Sequence, residues 1–189
     1  HGLECLPENM ETKTVNVYQL VQETRKKFNL PAPKIAISNT TVPNAAASGP
    51  SPSHGIVLIT TGLLVQLEEN EILTVLGHEL SHLKARDPLV LFGISASEYL
   101  FRAFVLVSLF PIFFTYFGFL YLLLILGATY FVAKFFEARA DLESAITVGN
   151  PEVLAWALRK IGFRRLEYER IPAYRFQDWI TWDPHPPIY

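Results

Sequence analysis

Cysteine is almost absent from this chain: Cys5 stands alone among 189 residues. That excludes an internal disulfide and any metal site built from several thiolates. An excess of one charge is missing too. The formal net charge is −2, so no basic footprint points to nucleic acid, and no nucleic-acid partner is expected. Residues 1–14 are polar and hold no signal peptide. The only methionine is Met10, and the chain starts at His1; it reads as a piece of a longer protein or a processed form. One further absence is local. From Ala103 to Ala133, 31 residues pass without a charge.

That run includes Phe104-Val105-Leu106-Val107, Phe113-Phe114 and Leu120 through Leu126. It exceeds the ~18 apolar residues that mark a membrane span. Extended back to Leu89, it gains only Glu98 and Arg102, four apart and able to pair on one helical face. A buried hairpin in a soluble protein is the competing reading, but so short a chain could hardly cover this much apolar surface. Pro111 and Gly118 interrupt the run, and Thr115-Tyr116-Phe117-Gly118 offers a turn. The division gives Leu89–Phe110 and Phe117–Phe136, each near the ~20 residues a crossing needs. A lipid bilayer is therefore an expected partner.

Against that background one short motif carries chemistry. His78-Glu79-Leu80-Ser81-His82 spells H-E-x-x-H. Leu73, Leu76, Leu80 and Leu83 recur at helical spacing around it. Asn70 is the expected N-cap, and Pro88, with Asp87 before it pushed from helical angles, the expected end. On a helix His78 and His82 share a face and can aim ring nitrogens at one zinc ion, with Glu79 beside them able to hold a water. Gly77 supplies no side chain and costs helix propensity, which predicts close approach of another segment.

A catalytic zinc usually takes three protein ligands. With no second cysteine, a carboxylate is the economical third. Glu137-Ala138-Arg139-Ala140-Asp141 follows the apolar run directly. On a helix Glu137 and Asp141 share a face, so Glu137 could bind zinc while Asp141 accepts the distal N–H of a ligand histidine. Taken alone, this element is also compatible with a solvated helix start.

Four ordered features together resemble the HtpX-like zinc metallopeptidases, relatives of the CAAX prenyl proteases. Pro43-Asn44-Ala45-Ala46-Ala47-Ser48-Gly49 is similar to that family's N-A-F-A-x-G stretch, with Ala46 where an aromatic is common. Gly62-Leu63-Leu64 leads to the H-E-x-x-H motif, Glu137 to Asp141 resembles the E-x-x-A-D element, and His185-Pro186-Pro187 resembles a C-terminal H-P-P. The resemblance implies zinc ligands His78, His82 and Glu137, one zinc per chain, and Glu79 as catalytic base. It implies an oxyanion role for His185 and protein quality control as the setting. The basic helix usual after H-P-P and the family's N-terminal membrane pair are absent from this sequence.

If Glu137 is a ligand, the chain between His82 and Glu137 must return to the side it left, so it crosses the bilayer an even number of times. The expectation is a hairpin with its tip near Pro111–Gly118. Lys84, Arg86, Lys134 and Arg139 flank the opposite ends, which places those ends and the site on the cytoplasmic face of a multi-pass cell-membrane protein. Elsewhere the periodicity predicts a helix over 15–28, strands at Lys34–Ser38 and Ile56–Thr60, and a helix opened by Asn150-Pro151. Between the strands, Asn44, Ala45, Ala46 and Ala47 have small side chains that would let a polypeptide substrate pair with an exposed strand edge.

The expected fold class is therefore α+β: a mostly helical gluzincin-type metallopeptidase domain with a small N-terminal β-sheet and an inserted transmembrane helical hairpin. Residues 1–88 hold the first part of the peptidase domain, 89–136 the hairpin and 137–189 the part carrying the third ligand. The expected function is a membrane-embedded zinc endopeptidase acting on unfolded or misfolded polypeptides. Two other readings remain at this stage, a CAAX-prenyl-protease-like peptidase and a non-catalytic zinc-stabilised scaffold, whose site would need a fourth ligand. Oligomeric state and substrate sequence preference are not written in the sequence.

Overall fold

The computed structural model describes residues 14–106 and 116–169. Helix α1 (Val17–Lys27) starts where Asn16 accepts a hydrogen bond from the Gln19 amide, and it buries Val17, Leu20, Val21 and Thr24. Strands β1 (Lys34–Ser38), β2 (Ala45–Ser48) and β3 (Ile56–Thr60) form one sheet in the order β1-β3-β2. β1 runs parallel to β3 and β2 antiparallel to it, so β2 is an edge strand. β1 and β3 fall on the residues expected, and the small-residue segment supplies β2. Ala45 and Ala47 are buried with Val57 and Ile59 on the inner face of the sheet.

The turn from β3 into helix α2 (Thr61–Gln66) is pinned by Thr60. Its hydroxyl accepts the Asn44 and Leu63 amides and donates to the Val42 carbonyl. Gly62 is required there: a Cβ would lie 2.1 Å from the Thr41 carbonyl oxygen.

Helix α3 (Glu69–Ala85) is the core of the molecule, packed against α1, the sheet and the two C-terminal helices. Its start corrects the expectation for Asn70, which lies inside the helix. The N-cap is Glu68, whose amide donates to the Glu71 carboxylate at 2.9 Å. Its end corrects the expectation for Pro88. Arg86 breaks the helix by taking left-handed angles (φ 61°), and Asp87 already belongs to the next helix, α4 (Asp87–Phe101). Pro88 sits in the first turn of α4, where its missing N–H costs nothing.

α4 continues into a π-helical stretch, Arg102–Leu106. Helix α5 (Tyr116–Val148) is 33 residues long and unbroken. Tyr116, Phe117 and Gly118, expected in a turn, are its first residues, and the rest of the expected tip, Pro111 to Thr115, lies outside the described residues. The helix also runs past Phe136, so Glu137 and Asp141 sit on the same rod as the apolar run. At ~1.5 Å per residue such a rod reaches ~50 Å, well beyond the ~30 Å of a hydrocarbon core. Two stretches, Asp87–Val105 and Tyr116–Val148, are long and apolar enough to cross a membrane, and none of their most apolar window is buried in the protein. Phe92, Phe104, Phe119 and Phe131 are 70%, 78%, 72% and 76% exposed, which is the reverse of a soluble core hairpin. The two charges within the run are paired: Arg102 Nε meets Glu98 at 3.0 Å, and Tyr121 donates to Glu98 from α5 at 3.4 Å.

Helix α6 (Pro151–Glu169) follows Gly149, whose φ of +94° turns the chain back. Leu154 and Ala157 pack into the core, and Lys160 reaches Glu71 on α3 at 2.6 Å.

Candidate metal centre

The site forms where α3 meets α5. Gly77 makes that contact possible: a Cβ there would lie 2.6 Å from Val148 Cγ2 and 2.7 Å from Ser144 Oγ. Ser144 completes the contact by donating to the Thr74 carbonyl at 2.8 Å. The close approach expected at Gly77 is thus the packing of α5. About two turns nearer its N-terminus, α5 presents Glu137 to the two motif histidines.

His78 Nε2 and His82 Nε2 face each other at 3.2 Å. Glu137 Oε2 lies 3.4 Å from the first, and its Oε1 lies 3.6 Å from the second. His78 is 4% exposed and His82 7%. Zinc bonds of ~2.0–2.1 Å at tetrahedral angles place ligand atoms ~3.3–3.4 Å apart, so the spacing fits one zinc ion. The donor set of two imidazoles and one carboxylate fits as well. Among the described residues, these three side chains are the group that could hold a metal ion.

Both histidines turn their far nitrogen to a carboxylate. His78 Nδ1 lies 2.8 Å from Asp141 Oδ1, off the line of a good hydrogen bond. His82 Nδ1 lies 2.8 Å from Asp87 Oδ2 and donates to it. The expected role of Asp141 therefore has a geometric basis at His78. Asp87 has the corresponding place at His82, and sequence reasoning missed it, because an Asp before a proline reads as a helix stop. Its signal was the spacing: a residue five positions after a ligand histidine is near it only if the helix ends between them.

Burial alone would lower the His78 imidazole. The Asp141 and Glu137 carboxylates, with the charge of Glu79, outweigh it and push the group up from 6.5 to about 10. The pocket therefore attracts positive charge strongly, whether a proton or a cation.

Glu79 is 5% exposed, and its Oε2 accepts the amide N–H of Ala47 at 3.0 Å. The ladder explains why that amide goes to Glu79 and not to β3. Thr60 N–H donates to the Asn44 carbonyl, so within β2 the residues alternating with Asn44, Ala45 and Ala47, direct their backbone groups away from β3. The backbone of Asn44 and Ala46 thus faces β3, and that of Ala45 and Ala47 faces the other way, where Ala47 meets Glu79. His185 lies outside the described residues.

A model of Peptidase family M48 matches residues 11–188. A protease HtpX homolog from Campylobacter concisus is 37% identical over 169 residues, covering 80% of this chain and 58% of the relative. Another, from Moorella thermoacetica, is 36% identical over 163 residues, covering 77% and 54%. A third, from Desulforapulum autotrophicum, is 36% identical over 178 residues, covering 84% and 56%. The chain spans little more than half the length of these curated relatives. No solved structure matches.

Proposed function

The chain belongs to peptidase family M48, and from that premise we propose that it is a membrane-embedded zinc endopeptidase with a gluzincin-type site. The observation that carries this reading is the convergence of His78 Nε2, His82 Nε2 and Glu137 on one point, with Glu79 held beside them. Zinc held there would lower the pKa of a water toward neutrality and polarise the scissile carbonyl. Among the described residues three ligands converge, which would leave a fourth position for water and favours catalysis over a closed structural site.

The chain's own residues do the rest. Ala47 N–H fixes one oxygen of Glu79, so the other is the one to take a proton from the attacking water and deliver it to the leaving amine. Asp141 orients His78. An extended polypeptide would pair with the outward-directed backbone of β2, the Ala45 groups and the Ala47 carbonyl, within a substrate strand comprising Asn44 to Ala47, while the Ala47 N–H stays on Glu79. His185 would serve as an oxyanion donor.

Residues 1–88 and 137–189 form the peptidase body and 89–136 the transmembrane hairpin. Two crossings would keep His82 and Glu137 on one side, and the basic residues at that side support a cytoplasmic orientation. The substrates would be unfolded or misfolded polypeptides near the membrane.

The test is Glu79→Gln in the full chain reconstituted in lipid. Zinc content should stay at one ion per chain, while cleavage of an unstructured polypeptide falls by about 10²–10⁴-fold or more. Undiminished cleavage would overturn the role of Glu79.

A further inference from the structure

Asp87 is 4% exposed, and its Oδ2 takes two donors at once. One is His82 Nδ1; the other is Arg139 Nη2, at 2.5 Å. Arg139 is held from behind by Glu143 at 3.5 Å, and Glu143 is held by Ser81 and by Lys84, the latter at 2.7 Å. The result is a continuous chain of charge running from a motif histidine across two helices and back to α3. Its members sit at informative places. Asp87 is the first residue of α4, so it marks the foot of the first apolar helix. Arg139 lies on α5 just past the apolar run, so it marks the foot of the second.

We propose that Asp87 and Arg139 are positioning residues for metal binding: together they lock the His82 ring with Nε2 toward the ion, and they tie that lock to the closed base of the hairpin. This rests on the metal site proposed above. A carboxylate can only accept, so contact with Asp87 requires the proton on Nδ1 and leaves Nε2 bare for a metal. Arg139 supplies the counter-charge that a buried carboxylate needs, and it fixes the oxygen that faces His82. Because the two residues come from different hairpin feet, spreading the feet would withdraw the lock.

The competing view is that the ion pair only staples α4 to α5. Zinc affinity separates the two, measured by chelator competition on the full chain in lipid nanodiscs. Asp87→Asn should weaken zinc binding by about 10–100-fold, since an amide can donate to Nδ1 and favour the wrong tautomer. Arg139→Gln should weaken it in the same direction but less, and Arg139→Lys should restore part of the loss. The double variant should bind no worse than Asp87→Asn alone, because both act through one ring. The visible spectrum of the cobalt-substituted protein should shift in Asp87→Asn.

Lys160→Gln removes a comparable ion pair remote from the site. It should lower thermal stability and leave zinc affinity unchanged. Wild-type affinity in both Asp87→Asn and Arg139→Gln, or additive losses in the double variant, would overturn the proposal. If Asp87→Asn does not fold, Arg139→Gln against Arg139→Lys decides it by the same affinity readout. Failure of the wild-type chain to bind zinc would overturn the metal site itself, which is a different result.

Discussion

Helices α3 and α5 are both long and rich in leucine, yet they meet opposite surroundings. α3 buries 12 of its 17 residues, Leu76, Gly77, His78 and Glu79 among them. α5 buries three of its 33: Gly118, Ala140 and Ser144. Apolar side chains on α3 are covered by protein on nearly every side. Those on the first two-thirds of α5 face outward and need a different solvent, which lipid supplies. Two of the three buried residues of α5 lie in its last third, where it leans on α3. Glu137, the carboxylate that meets His78 and His82, lies just before that stretch. The lesson is that the candidate metal centre sits at the seam between a helix covered by protein and one whose apolar faces are left uncovered, where polar groups can be both buried and partnered.

The contrast can be broken most sharply by cutting the same kind of side chain from each helix. Ile72 is fully buried on α3, whereas Leu124 on α5 is 64% exposed. Ile72→Ala should cost about 2–5 kcal/mol through lost burial and a cavity. Leu124→Ala, with no protein packed across it, should cost well under that in a bilayer. Thermal unfolding of both variants in the same nanodiscs checks the pair; equal losses would mean that α5 is covered after all.

Glycines sharpen the comparison at smaller scale. Gly77 on α3 has no room for a Cβ, whereas a Cβ at Gly127 on α5 would meet nothing within 4 Å. Gly77→Ala should push α5 off α3, costing about 1–3 kcal/mol by overpacking and weakening zinc binding with it. Gly127→Ala should be neutral or slightly stabilising, by up to about 1 kcal/mol, through helix propensity. A stable, zinc-competent Gly77→Ala protein would contradict the packing at the seam.

The mildest probe is pH. The His78 imidazole is raised from 6.5 to about 10 in the metal-free protein. A folded-state value above the unfolded one stabilises fully below pH ~6.5, and that contribution fades as pH rises through about 10. Metal-free protein should therefore lose stability across that window. Zinc needs the neutral ring, so its binding should release a proton and tighten by up to about tenfold per pH unit over the same range. Proton release measured in two buffers of different ionisation enthalpy, alongside unfolding of the metal-free form, tests the sign. Zinc binding without proton uptake by the buffer would refute it.

Much of this was legible in the sequence because it is local. Spacing of four put His78 and His82 on one face, and the same spacing put Glu137 and Asp141 on another. Short runs rich in β-branched residues marked β1 and β3, and a 31-residue run without charge marked the apolar part of α5. A glycine beside His78 announced a close neighbour without saying which. Helix ends were harder. At Asn70 a good capping residue lost to Glu68, because Glu71 reaches back to the Glu68 amide. At Asp87 the proline rule pointed to a stop, but the break falls at Arg86, whose left-handed turn swings Asp87 back onto His82.

Periodicity by itself determined which side chains share a face, because that follows from backbone geometry within a few residues. Only the tertiary structure decided which faces meet. Ala47 N–H on Glu79, Arg139 on Asp87 and Ser144 under Gly77 join residues 32, 52 and 67 positions apart, as read from the numbering. No local pattern encodes such pairs. They are set by how α5 packs on α3 and how the sheet edge lies against it, which depends on the whole chain excluding water at once.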